Sequence, residues 1–256
     1  MTNPDIRALL INNCKEIEKD IWNEYIDPNE KCEPIIDGIV NVDNFLASDF
    51  QILWILKEPY DDEEDGLATG GGWHFGNDFL FPEGFHKRMG RSRSTWHPII
   101  YVSYGILNKF IEYDDMDFIR NKPSMAEIVR NIAVVNVKKL PGFTRTNDFG
   151  PIAAAYNKHK RLLHKQIDSY NANIIIGGST LNLFYTELGI KKSDEKKFGC
   201  VEYVELNSKL FISAYHPAQT TVTRDRYVND IINLVKHWVD TKASRLQGLG
   251  VIEAEE

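Results

Sequence analysis

Phe50-Gln51-Ile52-Leu53-Trp54-Ile55-Leu56-Lys57-Glu58-Pro59 is the stretch that decides the fold. From Ile52 to Leu56 the chain is apolar with no helical period, and Lys57-Glu58-Pro59 stops it. Short continuous runs of this kind form strands buried on both faces, as central parallel strands are. Three similar runs follow: Ile132-Ala133-Val134-Val135-Asn136-Val137, then Asn173-Ile174-Ile175-Ile176 ending in Gly177-Gly178, then Leu210-Phe211-Ile212-Ser213-Ala214-Tyr215 ending in His216-Pro217.

Helical periodicity fills the spaces between them. Behind Asn3-Pro4, Ile6, Leu9, Leu10, Cys14, Ile17, Ile21 and Trp22 recur on one face, ending before Asp27-Pro28. Pro98 reads as the opening of a helix, Ser124-Met125-Ala126-Glu127 as a capping box, and Pro151 as the start of a helix carrying Ile152, Tyr156, Leu163, Ile167 and Tyr170. Residues 181–188 read as helix, and a last long one carries Tyr227, Val228, Ile231, Ile232, Val235 and Trp238. Strands alternating with helices predict an α/β fold: a three-layer sandwich with a central four-stranded parallel sheet and helices on both faces. With no repeat and no linker, residues 1–240 read as one domain and 241–256 as a flexible tail. Residues 61–93 read as one long loop, acidic at Asp61-Asp62-Glu63-Glu64-Asp65, then flexible at Gly70-Gly71-Gly72, then basic.

The 256 residues carry 30 Lys+Arg against 37 Asp+Glu, a net charge of −7, and 43% are hydrophobic. This balance excludes a disordered or collagenous chain and a generally basic nucleic-acid coat protein, though not a local basic cleft. Cys14, Cys32 and Cys200 are widely separated, which argues against a disulfide framework, a structural zinc or an iron–sulfur cluster. No apolar run approaches the roughly 18 residues of a membrane span, and the first residues lack the form of a secretion signal. The expectation is a cytoplasmic monomer without metal or cofactor.

In an open parallel sheet the binding crevice lies outside the carboxyl ends of the strands. Glu58, Asn136, Gly177-Gly178 and His216 therefore converge there. In this setting Leu56-Lys57-Glu58-Pro59-Tyr60-Asp61 resembles the G-Q-D-P-Y-H motif of the uracil-DNA glycosylase superfamily. Val134-Val135-Asn136-Val137 is similar to that family's strand with its base-reading Asn, and Ala214-Tyr215-His216-Pro217-Ala218-Gln219 resembles its H-P-S-P motif. The resemblance spans residues 50–238. It implies that Glu58 activates the attacking water, that Asn136 reads the edge of a flipped base, that His216 stabilises charge on the base oxygen, and that Tyr60 crowds the base at C5. Trp73, Phe75 and Phe79 offer aromatic faces, one of which is expected to stack on the base; Phe75 is counted among the base-binding candidates, and the choice between the three stays open. Lys87, Arg88, Arg91, Lys138 and Arg224 are the expected contacts to the nucleic-acid backbone, with Lys139 and Arg145 near them.

The implied activity is hydrolysis of the N-glycosidic bond of uracil or another deaminated base in DNA. The chemistry suits these residue types: a cationic sugar and an anionic base form as the bond breaks, so a carboxylate and a preorganised donor both favour the transition state. Leu56-Lys57 replace the family's Gly-Gln, Glu58 is one methylene longer than Asp, and Thr220 and Thr221 stand where an apolar wedge is expected. The missing wedge favours single strands or a nucleotide-sized substrate over intact duplex. The altered residues also leave open a non-catalytic nucleic-acid or nucleotide-binding module on the same fold.

Overall fold

The computed structural model describes residues 4–26, 32–78, 93–143 and 148–248. Along the chain come α1 (Pro4–Tyr25), β1 (Gly38–Ile39), α2 (Val42–Ala47), β2 (Ile52–Leu56), β3 (Asp62–Glu64), β4 (Leu67–Thr69), α3 (Phe75–Asp78) and α4 (Arg93–Leu107). Two 3-10 helices, Tyr113–Asp115 and Pro123–Asn131, lead to β5 (Ala133–Asn136), α5 (Gly150–Tyr170) and β6 (Ile174–Gly178). After α6 (Tyr185–Leu188) come β7 (Lys196–Phe198), β8 (Val201–Leu206), β9 (Lys209–Ala214) and α7 (Arg224–Gly248).

The main sheet has seven strands in the order β1-β5-β2-β6-β9-β8-β7, where four were expected. The four expected strands form its parallel core, β5-β2-β6-β9. Antiparallel strands extend it on both sides, β1 beyond β5 and β8-β7 beyond β9. The β8–β9 connection is a two-residue turn, Asn207-Ser208, with both φ angles positive, as a tight hairpin requires.

β2 is central, pairing Leu53–Leu56 with Ala133–Asn136 and Ile52–Ile55 with Ile174–Gly177. Its alternate side chains enter two separate cores. Ile52, Trp54 and Leu56 pack with Ile99 and Ile106 of α4 and Val228, Ile231 and Val235 of α7. Leu53 and Ile55 pack with Ile17 and Ile21 of α1 and Ile152, Leu163 and Ile167 of α5. Trp54 meets its one polar need by donating Nε1–H to Ser103 Oγ at 3.2 Å. Among the described residues, no helix is long and apolar enough to cross a membrane.

Local expectations are corrected in five places. The acidic stretch is a hairpin, β3–β4, because Asp65-Gly66 supplies two positive-φ positions (51° and 74°) for its turn. Gly70-Gly71-Gly72 is pinned: Gly70 O accepts the Glu33 amide at 2.9 Å, Asp61 Oδ2 accepts the Gly71 amide at 2.8 Å, and a Cβ at Gly71 would collide with the Glu33 carbonyl. Pro98 lies inside α4, which begins at Arg93, and its ring is buried. The helix at Pro123–Asn131 is 3-10 with Lys122 at its N-cap and no side-chain capping bond, since Pro123 takes the first helical position and leaves Ser124 inside. α7 continues past Thr241 to Gly248, anchored where Lys242 Nζ lies 3.7 Å from the Trp238 ring centroid and donates to Ser208 O at 2.8 Å.

Because Ile55 is fully buried in the core between β2, α1 and α5, Ile55→Ala should cost about 2–5 kcal/mol of unfolding free energy in chemical denaturation. Lys19→Ala, on the exposed face of α1, should stay within about 0.5 kcal/mol.

Candidate functional site

From β2 the chain leaves toward β5 on one side, and from β6 it leaves toward β9 on the other. Neighbouring strands whose connections diverge open a crevice at their carboxyl ends, here above Leu56 and Gly178. Register brings the expected residues to this one edge: Leu56 pairs with Asn136, and Gly178 with Ala214, two residues before His216.

His216 is fixed on three sides. Its main-chain N–H donates to Ser179 Oγ at 2.9 Å, its carbonyl accepts the Gln219 amide at 2.9 Å, and its Nδ1 accepts the Ala218 amide at 3.2 Å. Ser179 is placed for this by a positive φ of 61° and by its amide bond to Ala214 O at 2.8 Å. An Nδ1 that accepts assigns the ring proton to Nε2, and Nε2 has no partner among the described residues. Burial, and secondarily the cation of Lys57, push the imidazole pKa down to about 4. The ring is thus a neutral donor at physiological pH, held at the end of β9.

Glu58 lies two residues past β2 with its side chain 9% exposed. Lys138 Nζ donates to its Oε2 at 2.8 Å and to Pro141 O at 3.3 Å. Gly142 lets the backbone come this close, since a Cβ there would collide with the Glu58 carboxyl group, and its amide donates to Pro59 O at 2.8 Å. Half-buried Tyr60 forms a bridge with the same Gly142. Lys57, the residue in between, lies 5.9 Å from the Phe149 ring centroid.

Asn136 is 2% exposed and belongs to a buried network that the sequence reading did not include. Asp37 Oδ2 accepts its main-chain N–H at 2.7 Å and its Nδ2–H at 3.1 Å. Asp37 Oδ1 meets Lys139 Nζ at 2.6 Å, and Lys139 donates also to Gln166 Oε1 at 2.8 Å. Gln166 Nε2 donates to Asp37 Oδ1, to the Asp37 carbonyl and to Tyr170 Oη. Burial pulls the Lys139 ammonium pKa down and Asp37 opposes the shift. Two signals for this network were present in the sequence: a lone carboxylate inside Ile35-Ile36-Asp37-Gly38-Ile39-Val40, and Gln166 on the apolar face of α5 between Leu163 and Tyr170.

The remaining expected residues divide. Phe75 is 2% exposed, its ring stacked 5.1 Å from Trp73 and tilted against Trp96 at 5.9 Å, so in this conformation it is a core side chain without an open face. Lys139 is fully buried on Asp37 and cannot reach a phosphate. Lys138 is committed to Glu58. Arg224 is exposed at the first position of α7 with no carboxylate partner among the described residues, whereas Arg226 pairs with Asp230 at 3.5 Å. Lys87, Arg88, Arg91, Phe79 and Arg145 lie outside the described residues. Among the described residues, no group of three His, Cys, Asp or Glu side chains is placed to hold a metal ion. A cavity of about 130 Å³, lined by Ile167, Ala172, Leu188, Leu206 and Phe211, lies toward the amino ends of β6 and β9, away from His216. No known protein-family model matches the chain, and no curated protein matches it.

Two measurements check this geometry. Asp37→Ala leaves a buried ammonium unpaired and should cost about 3–5 kcal/mol in chemical denaturation. For His216, the folded pKa of about 4 lies below the unfolded value of 6.5. Above pH 6.5 both states are neutral and the group contributes nothing; between 6.5 and 4 only the unfolded state takes the proton, so stability falls on acidification. His216→Gln should lose less stability than wild type between pH 7 and pH 4, measured as the difference between the two proteins.

Proposed function

We propose that the protein is a hydrolase of the uracil-DNA glycosylase type, removing uracil or another deaminated base from DNA. The observation that carries this reading is the neutral His216, its Nε2–H without a partner among the described residues, at the same sheet edge as the Glu58 carboxylate. When the C1′–N bond breaks, its electron pair passes to the base and spreads onto the base oxygen. A neutral N–H held in place favours that charge without first having to lose a proton. Water forms the new bond to C1′, and Glu58 accepts its proton. Lys138 holds the carboxylate in position and competes with water for Oε2. Arg224, exposed and without a carboxylate partner among the described residues, would contact a backbone phosphate in this reading, and single strands remain the favoured substrate.

A second reading, a binding module without turnover, is favoured by one observation: Lys138 already occupies a Glu58 oxygen at 2.8 Å. One assay separates the two. Single- and double-stranded oligonucleotides containing uracil, hypoxanthine, xanthine or mismatched thymine are incubated with the protein and examined for alkali-labile sites. Base release is expected, falling about 10²–10³-fold in His216→Ala and about 10²–10⁴-fold in Glu58→Gln. Salt-sensitive binding with no release at high protein concentration would leave the binding module.

A further inference from the structure

A free side-chain amide has two faces. Rotation of its terminal group exchanges carbonyl for amino group, so an unanchored Asn accepts a base edge with donor and acceptor in either order. Asp37 removes this freedom at Asn136. A carboxylate accepts and does not donate, so only the amino group can face Oδ2, which also accepts the Asn136 main-chain N–H. That shared oxygen lies on the backbone side of the amide. Oδ1 and the second N–H of Asn136 are left together, with no partner among the described residues.

The anchor is itself immobile. Asp37 Oδ1 is held by Lys139 at 2.6 Å and Gln166 at 3.1 Å, and Lys139 and Gln166 are both fully buried. The segment carrying Asp37 into β1 is fixed too, because Gln166 Nε2 donates to its carbonyl at 3.1 Å and the neighbouring Gly38 pairs with Val134. Every group that could let the amide rotate is bonded to a partner inside the protein.

We propose that Asp37 is a positioning residue for base selection, locking the Asn136 amide so that its carbonyl and one N–H face the base side by side. The selected edge carries an N–H beside a C=O, as uracil, hypoxanthine and xanthine do. Cytosine and adenine present the two functions reversed and are refused. This inference rests on the glycosylase reading of the site, with Asp37 touching the reader rather than the substrate.

The test uses the double variant Asp37→Asn/Lys139→Met, which removes both charges so that neither is left buried alone. Gln166→Met, which keeps the pair and loosens the same carboxylate, is the milder second variant. Two readouts are taken on protein that melts cooperatively: hydrogen exchange of the Asn136 side-chain amide by NMR, and kcat and KM for release of uracil and cytosine from single-stranded DNA. Amide exchange should accelerate, and the uracil-to-cytosine ratio should narrow, each by about tenfold, the weight of one charge-assisted hydrogen bond. The loss should fall on kcat, with KM for the DNA within about twofold. Unchanged amide exchange, or an unchanged uracil-to-cytosine ratio in a folded variant, overturns the proposal. If wild type releases no base from any substrate, the glycosylase reading fails by itself, and amide exchange alone then decides whether Asp37 holds Asn136.

Discussion

The fold turns on β2 being hydrogen-bonded on both edges and buried on both faces. Five consecutive apolar residues cannot face water on either side, so each face must be covered, and the connections to β5 and β6 supply the covering helices α4 and α5. The same arrangement sends the chain away from β2 and β6 in opposite directions. Lys57, Glu58 and Ser179 are therefore delivered to one crevice, and β9, paired to β6, brings His216 beside them.

A second constraint lies under that crevice. Asp37 and Lys139 are both without exposed side-chain surface, an arrangement that is costly unless each charge is fully bonded. Here Asp37 is bonded by Lys139, Gln166 and Asn136, and Lys139 by Asp37 and Gln166. A buried pair of this kind adds little net stability compared with apolar packing, but it fixes geometry: it ties β1, β5 and α5 together at the floor of the site. His216 is held by different means, through backbone bonds and burial, so the two ends of the crevice are rigid for independent reasons.

Much of this was legible in the sequence because parallel strands need no alternation. Ile52–Leu56, Ala133–Asn136 and Ile174–Gly178 are continuous apolar runs whose ends point at the crevice, so the residues following them were found directly. The antiparallel strands were not found, neither those that extend the main sheet nor those of the separate β3–β4 hairpin. Gly38–Ile39 is too short to show a pattern, and the acidic Asp62–Glu64 has composition unfavourable for a strand, overridden by the Asp65-Gly66 turn. Val201–Leu206, Val-Glu-Tyr-Val-Glu-Leu, does not alternate either, because it sends Val201 and Tyr203 into one core and Val204 and Leu206 into the other, with Glu202 and Glu205 on opposite faces. Asp37 stood out as a lone carboxylate in an apolar stretch, but its partner did not: the pairing appears only when β1 meets a strand about a hundred residues later and brings that carboxylate onto Asn136. Phe75 was read as a stacking face because loop aromatics can serve as one, whereas its burial follows from the bonds that strap residues 70–75 along 32–36.

The central claim is that Asn136 and His216 grip a single base between them. The most direct measurement is a crystal structure with a single-stranded oligonucleotide carrying 2′-fluoro-2′-deoxyuridine, whose glycosidic bond resists cleavage. The account predicts the uracil ring seated at the carboxyl ends of β2 and β6, with His216 Nε2 about 2.7–3.2 Å from its O2 and the Asn136 amide on its N3–C4 edge. A base bound on another face, or one in the crevice that touches neither side chain, would contradict it.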